Sequence, residues 1–138
     1  MLENIRLINF KAARDLDLPL AAFTLLAGLN GSGKSTVLQS LAAIRQSYQG
    51  EHSHGLQLGG PLVPLGQGTD VLSEGAMDET ITMIVQEENK EYRWVCKVPP
   101  NANQLEFIEV PSPPNGFAVT SHFQYLQADR IVPRTLYP

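Results

Sequence analysis

Phe23-Thr24-Leu25-Leu26-Ala27-Gly28-Leu29-Asn30-Gly31-Ser32-Gly33-Lys34-Ser35-Thr36 is an apolar run that passes into a glycine-rich loop. It meets the pattern G-x-x-x-x-G-K-[ST] at Gly28, Gly33, Lys34 and Ser35, with an apolar strand expected before it and a helix after it. A polyphosphate is held by backbone N–H groups that point inward, and side chains on the loop would block that approach. Gly28, Gly31 and Gly33 remove them. The following helix turns its N-terminal N–H groups and positive dipole end toward the same anion. Lys34 then reaches the β- and γ-phosphates as a cation, Ser35 offers a hydroxyl to Mg²⁺, and Thr36 can hydrogen-bond the α-phosphate. The cofactors expected are ATP and Mg2+, held by Gly28, Asn30, Gly31, Ser32, Gly33, Lys34, Ser35 and Thr36. The bland alternative is a glycine-rich turn with no ligand; the complete motif with both flanks in place argues against it.

Outward from the loop, Val37, Leu38, Leu41, Ile44 and Arg45 recur at helical spacing, which predicts a helix from about Lys34 to about Ser47. Upstream, Glu3 to Phe10 reads as a strand covered on both sides. Leu16, Leu18 and Leu20 alternate with Asp15, Asp17 and Pro19 as in a half-exposed strand near an edge. Phe23 to Ala27 reads as a central buried strand. Downstream, Gly50 to Gly68 carries six glycines and two prolines with no period, and reads as a long loop. Ile81 to Val85 and Tyr92 to Val98 alternate around Glu88-Asn89-Lys90, which predicts an antiparallel hairpin. Short strands are expected at Leu105 to Val110 and His122 to Gln127.

At 138 residues, 43% hydrophobic and 17% charged, the chain has the size of one globular domain. A net charge of −4 gives no global basic field for nucleic acid. No apolar run approaches the ~20 residues of a membrane helix, and the N-terminus lacks a secretion signal, so a cytoplasmic protein is expected with no membrane partner. Cys96, the single cysteine, reads as a buried strand residue. His52 and His54 read as a solvated loop pair and not as metal ligands. Trp94, Tyr92 and Phe107 read as core and not as a base-stacking platform.

Ile5-Arg6-Leu7-Ile8-Asn9-Phe10-Lys11 followed by the Phe23–Thr36 stretch resembles the start of the ABC-type head ATPases, the group of the RecF and SMC proteins and their relatives. Val37-Leu38-Gln39-Ser40-Leu41, together with Phe123-Gln124-Tyr125-Leu126-Gln127-Ala128-Asp129-Arg130-Ile131-Val132-Pro133-Arg134, is similar to bacterial AAA ATPases of the overcoming-lysogenization-defect type and of anti-phage systems such as Septu. The resemblance implies an α/β P-loop NTPase fold: an ABC-ATPase-like mixed sheet with an antiparallel β lobe. Residues 1–138 would then be the N-terminal part of one head domain, incomplete at its hydrolytic half. It further implies that Lys11 contacts nucleotide and that a glutamine, Gln124 before Gln127, contacts Mg²⁺ and the attacking water, so that Lys34 and Gln124 would be catalytic and Ser35 and Gln124 metal ligands. Asp129 and Arg130 read as a surface ion pair. In the full protein it implies ATP-driven homodimers of heads, with a nuclease partner or DNA.

Hydrolysis in such a family needs a Walker B aspartate, a catalytic glutamate and a signature motif. Leu72-Ser73-Glu74-Gly75 and the Ile81 to Glu87 stretch imitate these, with Gln86 where aspartate belongs, but only about six residues separate them and the second segment pairs better as a hairpin. Both are therefore rejected as catalytic motifs. A small P-loop kinase would need a clustered arginine set and a lid, a pattern that Arg6, Arg14, Arg45, Arg93, Arg130 and Arg134 do not show. A regulator that binds nucleotide without turnover stays open.

Overall fold

The computed structural model describes residues 2–21, 34–48 and 55–111, with Lys34 described by its backbone alone. The strands are β1 (Leu2–Phe10), β2 (Ala13–Pro19), β3 (Gly55–Gln57), β4 (Thr80–Glu87), β5 (Lys90–Lys97) and β6 (Gln104–Glu109); the helices are α1 (Lys34–Ser47) and the one-turn α2 (Gly68–Val71). One six-stranded sheet runs in the order β2-β1-β4-β5-β6-β3. Every described pairing in it is antiparallel.

This corrects the expected fold class. A P-loop NTPase is built on a parallel core, and the sheet of the described residues has no parallel pair, so these residues do not form that fold. The connections explain why. A parallel pair needs a crossover of a dozen or more residues. Here β1 and β2 are joined through Lys11-Ala12, β4 and β5 through Glu88-Asn89, and the strand after α1 pairs antiparallel with β6. The expected hairpin, β4 and β5, is the middle of the sheet. The strands expected at Phe23 to Ala27 and His122 to Gln127 lie outside the described residues.

Cross-strand rows build the buried face. Ile5 stands opposite Val85 and Val85 opposite Tyr92; Leu7, Met83 and Trp94 form the next row, and Ile81, Cys96 and Phe107 the third. Such rows are the unit of sheet stabilisation. Helix α1 packs over β1 and β3 with Val37, Leu41 and Ile44 buried. Among the described residues strand β1 is fully buried on one face, through Ile5 and Leu7, whereas Arg6, on the half-buried other side, reaches Asp15 through two hydrogen bonds of 3.1 Å. The expectation of cover on both sides gave way to an antiparallel sheet with one polar face. Strand β3 was missed inside an apparent loop. Its Gly55 backs onto the Leu105 carbonyl, where a Cβ would collide.

Trp94 and Cys96 are fully buried, as expected of core residues. The indole Nε1–H of Trp94 donates to the Tyr48 hydroxyl at 2.9 Å, and Tyr92 stacks against Trp94 with centroids 6.4 Å apart. Burial raises the Tyr48 phenol above its ordinary value, against the opposing effect of the Trp94 hydrogen bond. Burial also pushes the Cys96 thiol from 9.0 up to about 12. An unfolded chain would lose that proton near its ordinary value while the folded chain keeps it. Stability is therefore unaffected below pH 9 and falls between about pH 9 and 12 as the thiolate becomes available only to the unfolded state. The expected slope from Cys96 is at most about 1.4 kcal/mol per pH unit. Urea unfolding of the wild type and of Cys96→Ala at pH 8, 10 and 11 checks it; parallel pH curves for the two proteins would contradict the assignment.

Candidate phosphate-binding site

Helix α1 is described from Lys34 onward, within the stretch where the phosphate-loop pattern expects a helix. Its first turn holds no acidic side chain and its last turn holds Arg45, so the charge pattern complements the dipole at the C-terminus and leaves acid out of the N-terminal turn. Ser35 is exposed there, while Thr36 is buried. A serine hydroxyl is a hard oxygen donor of the kind Mg²⁺ accepts.

The other end of α1 is anchored by polar groups. The Gln46 amide donates to the carbonyls of Gln57 (2.8 Å) and Val63 (3.1 Å) and accepts from the Val63 N–H (3.1 Å). Ser47 donates to the Ala43 carbonyl at 2.6 Å and accepts from the Gln57 N–H at 2.8 Å. Both side chains are buried and satisfied. They tie the helix to the segment that contains β3, and so fix where its first turn stands over the sheet.

Lys11 comes to this helix from the β1–β2 turn. Asn9 and Lys11 take left-handed backbone angles, φ 62° and 50°. Asparagine tolerates that region and lysine does so at a cost. Segment 71–75 holds the turn in place. The Lys11 N–H donates to the Val71 carbonyl (2.7 Å), the Ser73 N–H to Asn9 (3.0 Å), and the Ser73 hydroxyl to the Lys11 carbonyl (2.7 Å). Arg14, near Lys11 in the sequence, donates to the carbonyl of Gly75 (3.0 Å). The Lys11 ammonium donates to the side-chain carbonyl of Gln39 at 2.8 Å. Ser35 and Gln39 are four residues apart and share one face of α1. The structure therefore brings Lys11 to the face of the helix that carries Ser35.

Gly28, Asn30, Gly31, Ser32, Gly33, Gln124, Gln127, Asp129 and Arg130 lie outside the described residues, as do His52, His54 and His122. Among the described residues there is no group of three or more histidines, cysteines or acids able to hold a metal. The two rejected look-alike motifs are structural. Leu72-Ser73-Glu74-Gly75 follows α2 and does not open a helix, and Leu72 bridges to Phe10. The Ile81 to Glu87 stretch pairs along its length with β1 and β5. Sequence reasoning missed Gln39 and Ser73. The i, i+4 spacing of Ser35 and Gln39 was the signal available for the first; nothing local marked the second.

No protein-family model matches the chain. A stretch of 41 residues, 30% of the chain, is 42% identical to part of an OLD nuclease from Thermus scotoductus. That stretch spans 8% of the relative's length. The similarity supports a relationship of the overcoming-lysogenization-defect kind over those residues. No described helix is long and apolar enough to cross a membrane.

Removal of the Ser73 hydroxyl would strip a hydrogen bond from the Lys11 carbonyl while leaving the sheet intact. Ser73→Ala is expected to lower stability by about 1 kcal/mol and to speed hydrogen exchange at the Lys11 amide. Unchanged exchange at Lys11 would show that the turn holds its shape without the clamp.

Proposed function

We propose that the chain binds MgATP through residues 28–36, with Lys34 as the principal phosphate cation and Ser35 as a ligand to Mg²⁺. The observation that carries the reading is the full G-x-x-x-x-G-K-[ST] motif, whose last residues Lys34 and Ser35 lie in helix α1. The reading rests on the loop and its helix and does not require the parallel core that the sequence suggested. Bound Mg²⁺ would supply charge neutralisation between the phosphates. The chain's own residues would bind and orient: backbone N–H groups of the glycine-rich loop cradle oxygens, Lys34 attracts the terminal phosphates, and Lys11 adds a second cation from the side of α1.

The similarity to an OLD nuclease supports a nucleotide-binding or nuclease-associated role. In the full protein we propose ATP hydrolysis, with Gln124 contacting the metal and the attacking water, by paired copies that control a nuclease or act on DNA in repair or phage defence. The Walker B aspartate and catalytic glutamate that hydrolysis demands would come from beyond the look-alike segments, which the sheet uses as strand and clamp.

Calorimetric titration of MgATP into the chain and into Lys34→Ala, with phosphate release followed on the same samples, tests the first step. Binding is expected in the wild type and a loss of about tenfold to a hundredfold in the variant, the worth of a charge-assisted hydrogen bond. Equal affinity in both proteins, or none in the wild type, would sink the reading.

A further inference from the structure

We infer that Gln39 is a positioning residue for Lys11, setting the lysine ammonium in advance for a triphosphate held at the start of α1. The inference rests on the nucleotide-binding reading above and goes beyond it. It assigns a role to a helix residue that belongs to no phosphate-loop pattern.

The backbone end of Lys11 is fixed first. A left-handed turn clamped by Val71 and Ser73 sets the direction in which the side chain leaves the sheet. The far end is fixed by Gln39, whose side-chain carbonyl accepts from the ammonium at 2.8 Å. Lysine carries a large rotamer entropy, and a side chain pinned at both ends loses less of it on meeting a ligand. Gln39 is partly buried on α1, one turn beyond the exposed Ser35. The ammonium is thereby held, partly buried, on the face of α1 that carries Ser35.

The chemistry of the partner matters as much as its place. An acid at position 39 would hold the ammonium equally well but cancel its field at the phosphates. The amide of Gln39 is neutral, so it orients the cation and leaves its charge in force. An ammonium has three N–H donors, and the bond to Gln39 uses one of them. The same lysine can therefore keep Gln39 while it donates to a phosphate oxygen. This makes Gln39 a support for the bound state and not a competitor with it.

A double-mutant cycle on the whole chain tests the assignment, with MgATP as the probe and Gln39→Leu, Lys11→Met and the double variant compared. Gln39→Leu is expected to weaken binding about two- to tenfold, the worth of one long side chain ordered in advance. In the Lys11→Met background the same substitution should have no further effect. A residue that merely packs the helix would weaken binding equally in both backgrounds, and additive effects of that kind would overturn the inference. A second readout needs no nucleotide. In the ligand-free protein the ¹⁵N-detected Lys11 ammonium should be slow to exchange with water, and Gln39→Leu should abolish that protection; protection that survives the substitution would also overturn it. Lys34-dependent binding with additive effects at Lys11 and Gln39 removes this inference alone. Absence of Lys34-dependent binding in the unmutated chain removes the parent reading and this inference with it.

Discussion

One-sided burial of the antiparallel sheet under α1 is the constraint from which the other features follow. The rows Ile5–Val85–Tyr92 and Leu7–Met83–Trp94 present an apolar surface, and a surface of that kind must be covered or it costs on the order of 25 cal/mol for each Å² left in water. Val37, Leu41 and Ile44 supply part of the cover. Because the helix must lie where that surface lies, and because Gln46 and Ser47 pin its far end to the β3 segment, the place of its first turn is decided by the core. A phosphate site at that turn would be built on a rigid support without any packing requirement of its own.

The β1–β2 turn is where the fold accepts local strain. A left-handed lysine costs about 1–2 kcal/mol, which is comparable to what one or two net hydrogen bonds return. Three hydrogen bonds between the turn and segment 71–73 meet that demand. A less costly turn was available to the chain in principle, since glycine would take the same angle freely. The strained residue is also the one whose ammonium reaches α1, and strain held in place by its surroundings is a recognised mark of a working position.

What the sequence made legible was local. Helix α1 ends at Ser47 as its spacing predicted, and the β4–β5 hairpin closes at Glu88 and Asn89, both with positive φ, where the polar break between two alternating runs pointed. The edge character of β2 followed from Pro19 and its exposed aspartates. The fold class was misread because the phosphate-loop motif and its resemblances carry a parallel core with them, and that association outweighed the hairpins, which are antiparallel signals. Strand β3 was illegible for a different reason: Gly55–Gln57 are strand only because β6 lies beside them, a tertiary effect with no trace in a glycine-rich stretch. The Lys11–Gln39 contact joins residues 28 apart, and no periodicity reports a contact of that range.

Charge placement bears on how an acidic chain could receive a polyanion. The net charge of −4 repels a triphosphate at long range, but screening over about 8 Å at physiological ionic strength leaves the decision to near neighbours. Most described basic groups with assigned contacts are spent elsewhere. Arg6 lies against Asp15, a hydrogen-bonded and charged partner that holds its guanidinium above the usual range and the Asp15 carboxyl below it; Arg93 approaches Glu109 at 3.6 Å, and Arg14 donates to a backbone carbonyl. The Arg6 and Arg93 pairs are exposed on both sides, so they contribute little to stability; their effect is to neutralise charge on the polar face of the sheet. Lys11 differs because its partner is an amide. Its charge is therefore not cancelled by that partner, and it stands on the side of α1 that bears Ser35, where the first described turn carries no acid.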